Sequence, residues 1–480
     1  MKSLSGSLLS FLITVLITPA TASSDVRGHV STWRSPNGVV ERCVALGHFP
    51  GGIYSQSDNR QEKQFCAVDF YGGEVALCPK FFSTSPGTLI YDVSKGPYAG
   101  NPTGFEKHVC PRGKIMHKEA NGPPISYKTT MNARNTSGTF STASLLYYHF
   151  SRYFDTNIEV PVSVWRSMDR SIHLKRVTEP GLRYSARSKS LKMNHAAWLE
   201  LAKAEKNPSA YHPTDELFTR DRKQIYGIFI HPYGKRYSAE LNGTRRSGWG
   251  DGQNRDFQKT APYLALRSSA PLAEAIRHGL AEARKDARLR KAMGSHVSEA
   301  QMVSWMQDLT EITLLDYIFS QQDRIGNIDY VNRWFWVEDG RVHSRKASGS
   351  RVPRDLETRR PVLLRTTVLN DNDAGGRPAY ANYTKRTGML EKIRHYNPTT
   401  YRKLMKLAAD LNRQGPLHAY LEETFGLSPK QLEMVVDNTR EAAAILHDSC
   451  RKGRLRFDLG LHEFLLRGGE VKEKKISCDP

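Results

Sequence analysis

Met302, Trp305, Met306, Leu309, Ile312, Leu315 and Phe319 recur at three- and four-residue intervals. This spacing predicts one buried stripe of an amphipathic helix. The period breaks at Asp323-Arg324-Ile325-Gly326-Asn327, an acidic loop with a glycine, and a strand-like run over Tyr330–Val337 follows. A second apolar-leaning run from Leu364 ends in Asp371-Asn372-Asp373, then Ala374 and two glycines. Earlier in the chain, Ile125–Thr130 alternates as a strand, Ser141–Phe154 reads as a helix and Val160–Trp165 as a strand. Ile225–Ile230, a Pro-Tyr-Gly turn and Arg236–Glu240 read as a hairpin. From residue 269 the pattern is helical, over 270–292, 300–321, 398–413, 416–424 and 428–451, with Pro398 and Pro429 at helix starts. Residues 25–120 are rich in turn formers, with short β-type runs at Gln64–Phe70 and Thr88–Tyr91, and the polar, basic stretch 340–360 reads as a surface loop.

Composition places the chain outside the cytoplasm. Lys2, the apolar run Leu8–Ile17 and the small residues Ala20-Thr21-Ala22 make residues 1–22 a secretory signal peptide, too short for a membrane anchor. No later run approaches the length of a transmembrane helix, so a secreted or periplasmic protein without an anchor is expected. Six cysteines are present, four (Cys43, Cys66, Cys78, Cys110) near the N-terminus and two (Cys450, Cys478) near the C-terminus. In an oxidising compartment three local disulfides are the natural reading, with Cys450–Cys478 the best-defined pair. Zinc is disfavoured because no Cys-x-x-Cys spacing occurs. The net charge of +21 is spread along the chain rather than gathered in a tail, so nucleic-acid binding is disfavoured too. Asn135, Asn242 and Asn382 open Asn-x-Ser/Thr sequons.

The chemistry lies in the two acidic loops. A helix that delivers an Asp and an Asn into a short loop before a strand suits a phosphotransferase. There the Asp orients or deprotonates a hydroxyl, and the Asn holds a metal ion beside phosphates. A second Asp at a later strand end is where such enzymes hold a metal ion. Asp371-Asn372-Asp373 also opens like a calcium loop, but Gly375 and Asn382 stand at its fifth and twelfth positions in place of ligands. Neither a Gly-x-Ser-x-Gly elbow, a His-Glu-x-x-His helix nor a Walker loop occurs.

These two motifs, in this order, resemble the atypical secretory-pathway kinases, the Golgi casein kinase group and its bacterial relatives. The helix over Ser141–Phe154 with its Val-Pro-Val strand is similar to the small lobe of HipA-like and lipid-kinase-like proteins. The resemblance implies an α+β, two-lobed atypical protein-kinase-like fold with an N-terminal disulfide-braced β region and a helical C-terminal lobe. The implied organisation is 1–22 signal peptide, 23–120 Cys-containing β-rich region, 121–235 small lobe and 236–480 large lobe. It further implies Asp323 as catalytic acid–base group, Asp371 as metal ligand, and ATP or another nucleoside triphosphate with Mg²⁺ or Mn²⁺ as cofactor; Asn327 of the first loop and Asp373, which stands where the family's motif has a glycine, are the further candidate metal ligands. The acceptor would be a hydroxyl on a protein or a glycan.

Lys128, on the Ile125–Thr130 strand, is the candidate phosphate-binding lysine, with Lys107 and Lys118 as rivals. Ser85-Pro86-Gly87 and Gly96–Gly104 are candidates for the phosphate loop. Two further departures from the kinase pattern stand out. The helix after Lys128 contains no Glu to pair with it, leaving Glu106, Glu119 or Glu159, and Asn327 follows Asp323 by four residues rather than five, which brings in Asp329 and Asn332. The long loop Asn242–Gly252, with Arg245, Arg246 and Trp249, is a candidate lining of the cleft. The alternatives are a catalytically inactive pseudokinase, or a basic protein binding glycans or nucleic acid.

Overall fold

The computed structural model describes residues 26–113, 118–133 and 136–479, so the expected signal peptide and Asn135 lie outside the described residues. The first sheet contains β1 (Gly28–Arg34), β2 (Val40–Leu46), β3 (Val75–Pro79), β4 (Gly87–Asp92), β5 (Ile125–Thr129), β6 (Ser163–Asp169) and β7 (Gln224–Ile230). Its order is β1-β2-β6-β7-β5-β4-β3, antiparallel throughout. Strands before and after residue 120 therefore share one sheet. The second sheet contains β8 (Lys235–Arg236), β9 (Asp329–Glu338), β10 (Arg341–Lys346) and β11 (Val362–Val368), all paired to β9. Helices make up most of the rest of the C-terminal part, giving the expected α+β arrangement of an N-terminal antiparallel sheet followed by a helical region.

The helix Glu299–Ile318 is the central post. Every residue from Ala300 to Ile318 is buried, not one stripe alone. Three of its most polar side chains are satisfied by partners on flanking segments. Asp308 accepts from the Thr367 hydroxyl at 2.6 Å, Glu311 from the Ile158 N–H at 3.0 Å, and Gln307 from the Leu461 N–H at 2.9 Å. An all-round buried helix with polar residues gives a weak amphipathic signal, which is why periodicity alone showed only one face.

The expected helix 270–292 is two helices, Leu272–Ala283 and Ala287–Met293, because Asp286 caps the start of the second, and three more local expectations differ. Gln64–Phe70 is not a strand, because the helix Gln56–Cys66 runs through its first residues. Ser55 and Asp58 close a reciprocal capping box that starts that helix. Ile225–Ile230 and Arg236–Glu240 do not form a hairpin. Both edges of β7 are taken by β5 and β6, so the chain after Tyr233 crosses to the other sheet and β8 pairs with β9. The stretch 340–360 is not a plain loop, since β10 returns along β9 from the Asp339-Gly340 turn.

The cysteines pair locally as Cys43–Cys66, Cys78–Cys110 and Cys450–Cys478. The first two tie β2 and β3 to helical segments, and the third pins the C-terminal tail to the helix Pro429–Arg451. Among the described residues no helix is long and apolar enough to cross a membrane.

Candidate active site

The helix Glu299–Ile318 ends at Phe319, and Ser320 takes a left-handed turn (φ 51°) that redirects the chain into the Asp323 loop. That loop is stitched to the loop after β11. Gly376 N–H donates to Phe319 O at 2.6 Å and Gln322 N–H to Ala374 O at 3.0 Å. Gln321 links both, accepting from the Asp323 N–H at 3.0 Å and donating to Asn372 O at 3.3 Å. Arg324 is buried, and its guanidinium takes Asp316 at 3.0 Å and Asn372 Oδ1 at 2.9 Å. Asp316 in turn accepts from the Tyr147 hydroxyl at 2.6 Å, which anchors both loops to the helix Thr142–Phe154.

Lys128 arrives from the other sheet. On β5 it lies between Gly87 of β4 and Ile228 of β7, and its side chain crosses to the acidic loops. The ammonium donates to Asp371 Oδ1 at 3.0 Å and to Asn370 O at 3.1 Å, and lies 3.5 Å from Asp373 Oδ2. Burial works to lower the Lys128 pKa, but Asp373 and Asp371 outweigh it and hold the ammonium above its ordinary value. Burial likewise opposes ionisation of Asp371, yet Lys128 and Lys80 hold its carboxyl well below the usual range. Lys107 and Lys118 are exposed and take no part.

Lys128, Asp323, Asn327, Asp371 and Asp373 line one cavity of about 180 Å³. The structure thus brings together every residue of the expected site, drawn from β5, the helix end and the end of β11. Asp323 is half-buried. Burial pushes its carboxyl up, a bond from Trp249 Nε1 at 3.4 Å works against that, and Asp371 and Asp373 add to the rise. Asn327 donates to Asp323 O at 2.8 Å, which sets its carboxamide beside the cavity.

Three residues of the site escaped the sequence reading. Lys80 and the turn Ser83–Gly87 between β3 and β4 roof the cavity, and Ser85 Oγ meets Ser137 Oγ at 3.1 Å across it. Ser85-Pro86-Gly87 is therefore part of the roof, whereas Gly96–Gly104 does not line the cavity. A lysine opening a hydroxyl-rich turn between two strands was the available signal. Burial and Lys128 push Lys80 below its ordinary value, with Asp371 and Asp373 opposing. Arg236 and Asn370 left no such signal. Arg236 bonds Asp329 at 2.6 Å and Asp371 Oδ2 at 3.3 Å, and also the Gly326 carbonyl and Asn327 Oδ1.

Glu106 pairs with Arg176, Glu119 with Arg112, and Glu159 with Arg333, so Lys128 is held by the two aspartates instead of a glutamate. Asn332 sits mid-β9 opposite Arg365, away from the cavity. Asp329 bonds Arg236 and Asn370. In the loop 242–252, Arg246 turns to Asp286, Arg245 packs on Gly326, and Trp249 is 62% exposed beside Asp323. Asn242 is buried and accepts from the Gly326 N–H at 2.9 Å, so it braces the loop rather than offering a glycosylation site.

Asp371, Asp373 and Asn327 offer oxygen donors only, the set that suits Mg²⁺ or Mn²⁺. A cation already fits there, since the Arg236 guanidinium bridges Asp371 Oδ2 and Asn327 Oδ1. Among the described residues no group of three His, Cys, Asp or Glu side chains is arranged to hold a metal.

No protein-family model and no curated protein matches the chain. Among solved structures it is similar to a crystal structure of the Golgi casein kinase, at 11% identity and a TM-score of 0.41, covering 84% of this chain and 81% of that one. It is also similar to the Golgi casein kinase with Mn/ADP bound, at 11% identity and a TM-score of 0.39, covering 82% of this chain and 77% of that one.

Proposed function

We propose that this chain is an exported kinase-like phosphotransferase that moves the terminal phosphoryl group of a nucleoside triphosphate to a hydroxyl on a protein or a glycan. The observation that carries this reading is the convergence of Lys128, Asp323 and Asp371 on one polar cavity from three separate elements. Lys128 and Lys80 hold the donor phosphates, and Asp323 orients the acceptor hydroxyl and takes its proton as the new P–O bond forms. Mg²⁺ or Mn²⁺, held by Asp371 and Asn327 with Asp373, would neutralise charge on the transferring group. Donor phosphate would take the place of the aspartates at Lys128, and the metal ion that of the Arg236 guanidinium at Asp371. Three disulfides support export to an oxidising compartment.

A second reading is an inactive binding protein, favoured by the direct Lys128–Asp371 pair and the lack of a Glu partner. A thermal-shift titration with ATP, with and without Mg²⁺ or Mn²⁺, beside Asp371→Ala, separates the two. A hundredfold excess of ligand over Kd raises stability by about 2.7 kcal/mol. A metal-dependent shift lost in Asp371→Ala supports transfer, a metal-independent shift supports the inactive reading, and no shift with any nucleotide sinks the transfer reading.

A further inference from the structure

The connector between β7 and β8 is where the two sheets join and where a kinase-like protein would read a nucleobase. Here the main-chain groups of Tyr233 are already used. Its N–H donates to Asn370 Oδ1 at 3.2 Å and its carbonyl accepts from Asn370 Nδ2 at 2.8 Å. A carboxamide presents the same donor–acceptor pair as the edge of adenine. Asn370 is itself fixed, since Nδ2 also reaches Asp329 Oδ2 at 2.8 Å. The Tyr233 hydroxyl is held by Glu159 at 2.8 Å, so its ring cannot swing free without losing that bond. Arg236 bridges Asp329 and Asp371 at the threshold between the connector and the cavity.

The cavity has matching chemistry. Its roof and wall present the hydroxyls of Ser83, Thr84, Ser85 and Thr139 with the ammonium groups of Lys80 and Lys128. Among the described residues that line it, none is aromatic, and only Pro86 and Ala374 offer apolar side chains. Ring binding needs flat apolar walls, whereas phosphate binding needs cations and hydroxyl donors. The cavity supplies the second kind.

We propose that this site recognises its donor through the phosphoanhydride chain alone, so that an inorganic linear polyphosphate serves as donor alongside any nucleoside triphosphate. This rests on the phosphotransfer reading above. With tripolyphosphate, the acceptor oxygen bonds to a terminal phosphorus as the bond from that phosphorus to its bridging oxygen breaks. The bridging oxygen leaves with the electron pair as part of pyrophosphate, and the acceptor proton passes to Asp323 and then to water. No oxidant or reductant is needed.

The test is calorimetric titration of the purified, disulfide-bonded protein with ATP, GTP, CTP and sodium tripolyphosphate at one fixed salt and Mg²⁺ concentration. Dissociation constants within about tenfold of one another are expected, a spread of no more than about 1.4 kcal/mol. Lys80→Met, a change at a partly exposed turn residue, is expected to weaken all four ligands together. ATP bound more than about tenfold tighter than tripolyphosphate, or a Lys80→Met loss confined to ATP, overturns the inference while leaving phosphotransfer intact. No binding of any of the four overturns both.

Discussion

Arg324 donates through Nη1 to the main-chain oxygen of Asp371 at 3.0 Å, so the residue next to the candidate catalytic acid holds the candidate metal ligand. The same guanidinium is clamped by Asp316 and lies over the Tyr147 ring at 5.2 Å. One buried cation therefore fixes the spacing of Asp323 and Asp371, although the two aspartates lie on separate loops. Their relative position is set by a side chain whose own rotamer is locked from three directions, which is what a preorganised site requires.

Replacing Arg324 by Met should strip the buried Asp316 of its counter-charge. A loss of about 3–5 kcal/mol is expected, read as a lower denaturation midpoint. Arg324→Lys should recover only part of it, because an ammonium cannot reproduce the planar fork to Asp316. Equal stability of the Met variant and wild type would show that the clamp does not matter.

Asp323→Asn should separate binding from transfer. The carboxamide keeps the shape but cannot take a proton, so turnover should fall by about 10²–10⁴ while donor affinity stays near wild type. Parallel titration and turnover measurements check this. A turnover near wild type would remove Asp323 from the catalytic role.

Trp249→Phe should shift the pH profile. The Trp249 bond favours the ionised Asp323 carboxylate, and burial with Asp371 and Asp373 disfavours it. Without the indole donor the carboxyl pKa rises further. Transfer needs the ionised form, so the acid limb of kcat/KM should move to higher pH. An unmoved limb would mean that the 3.4 Å contact has no electrostatic weight.

Glu311 gives a second pH signature, in stability rather than activity. Burial pushes its carboxyl up to about 8, with Asp308 adding to the rise. The unfolded chain titrates near about 4.3. The folded state therefore binds the proton more tightly, and this stabilisation is present at low pH and lost as pH rises towards about 8. His149, pushed by burial to about 3, acts with the opposite sign below its ordinary value, so wild type and Glu311→Gln must be compared at each pH. Wild-type stability relative to Glu311→Gln should decline between about pH 5 and pH 8. A constant difference would contradict the shifted titration.

Much of the architecture was legible because it rests on local rules. The Pro-initiated helices at Pro398 and Pro429, the strand around Lys128 and the Cys450–Cys478 bond follow from spacing and turn chemistry carried by neighbouring residues. The two acidic loops could be read for the same reason, since each is a short segment at the end of a regular element. The helix Gln56–Cys66 was missed although its capping box was present, because the Cys-containing run after it has β-type composition.

What only the tertiary structure decided is who meets whom. Asn370 reaches Tyr233, Arg236 reaches Asp371, and Lys80 comes over Lys128 from a separate strand turn, and no periodicity links these positions. Lys128 could be singled out by its strand, but its partners, two aspartates in place of a glutamate, depend on how the sheets close on each other. The sequence by itself determined the elements and the reactive residue types, because those depend on neighbours along the chain. Pairing across the cavity depends on long-range packing and on which buried charges are left to neutralise one another, and that is settled only when the chain folds.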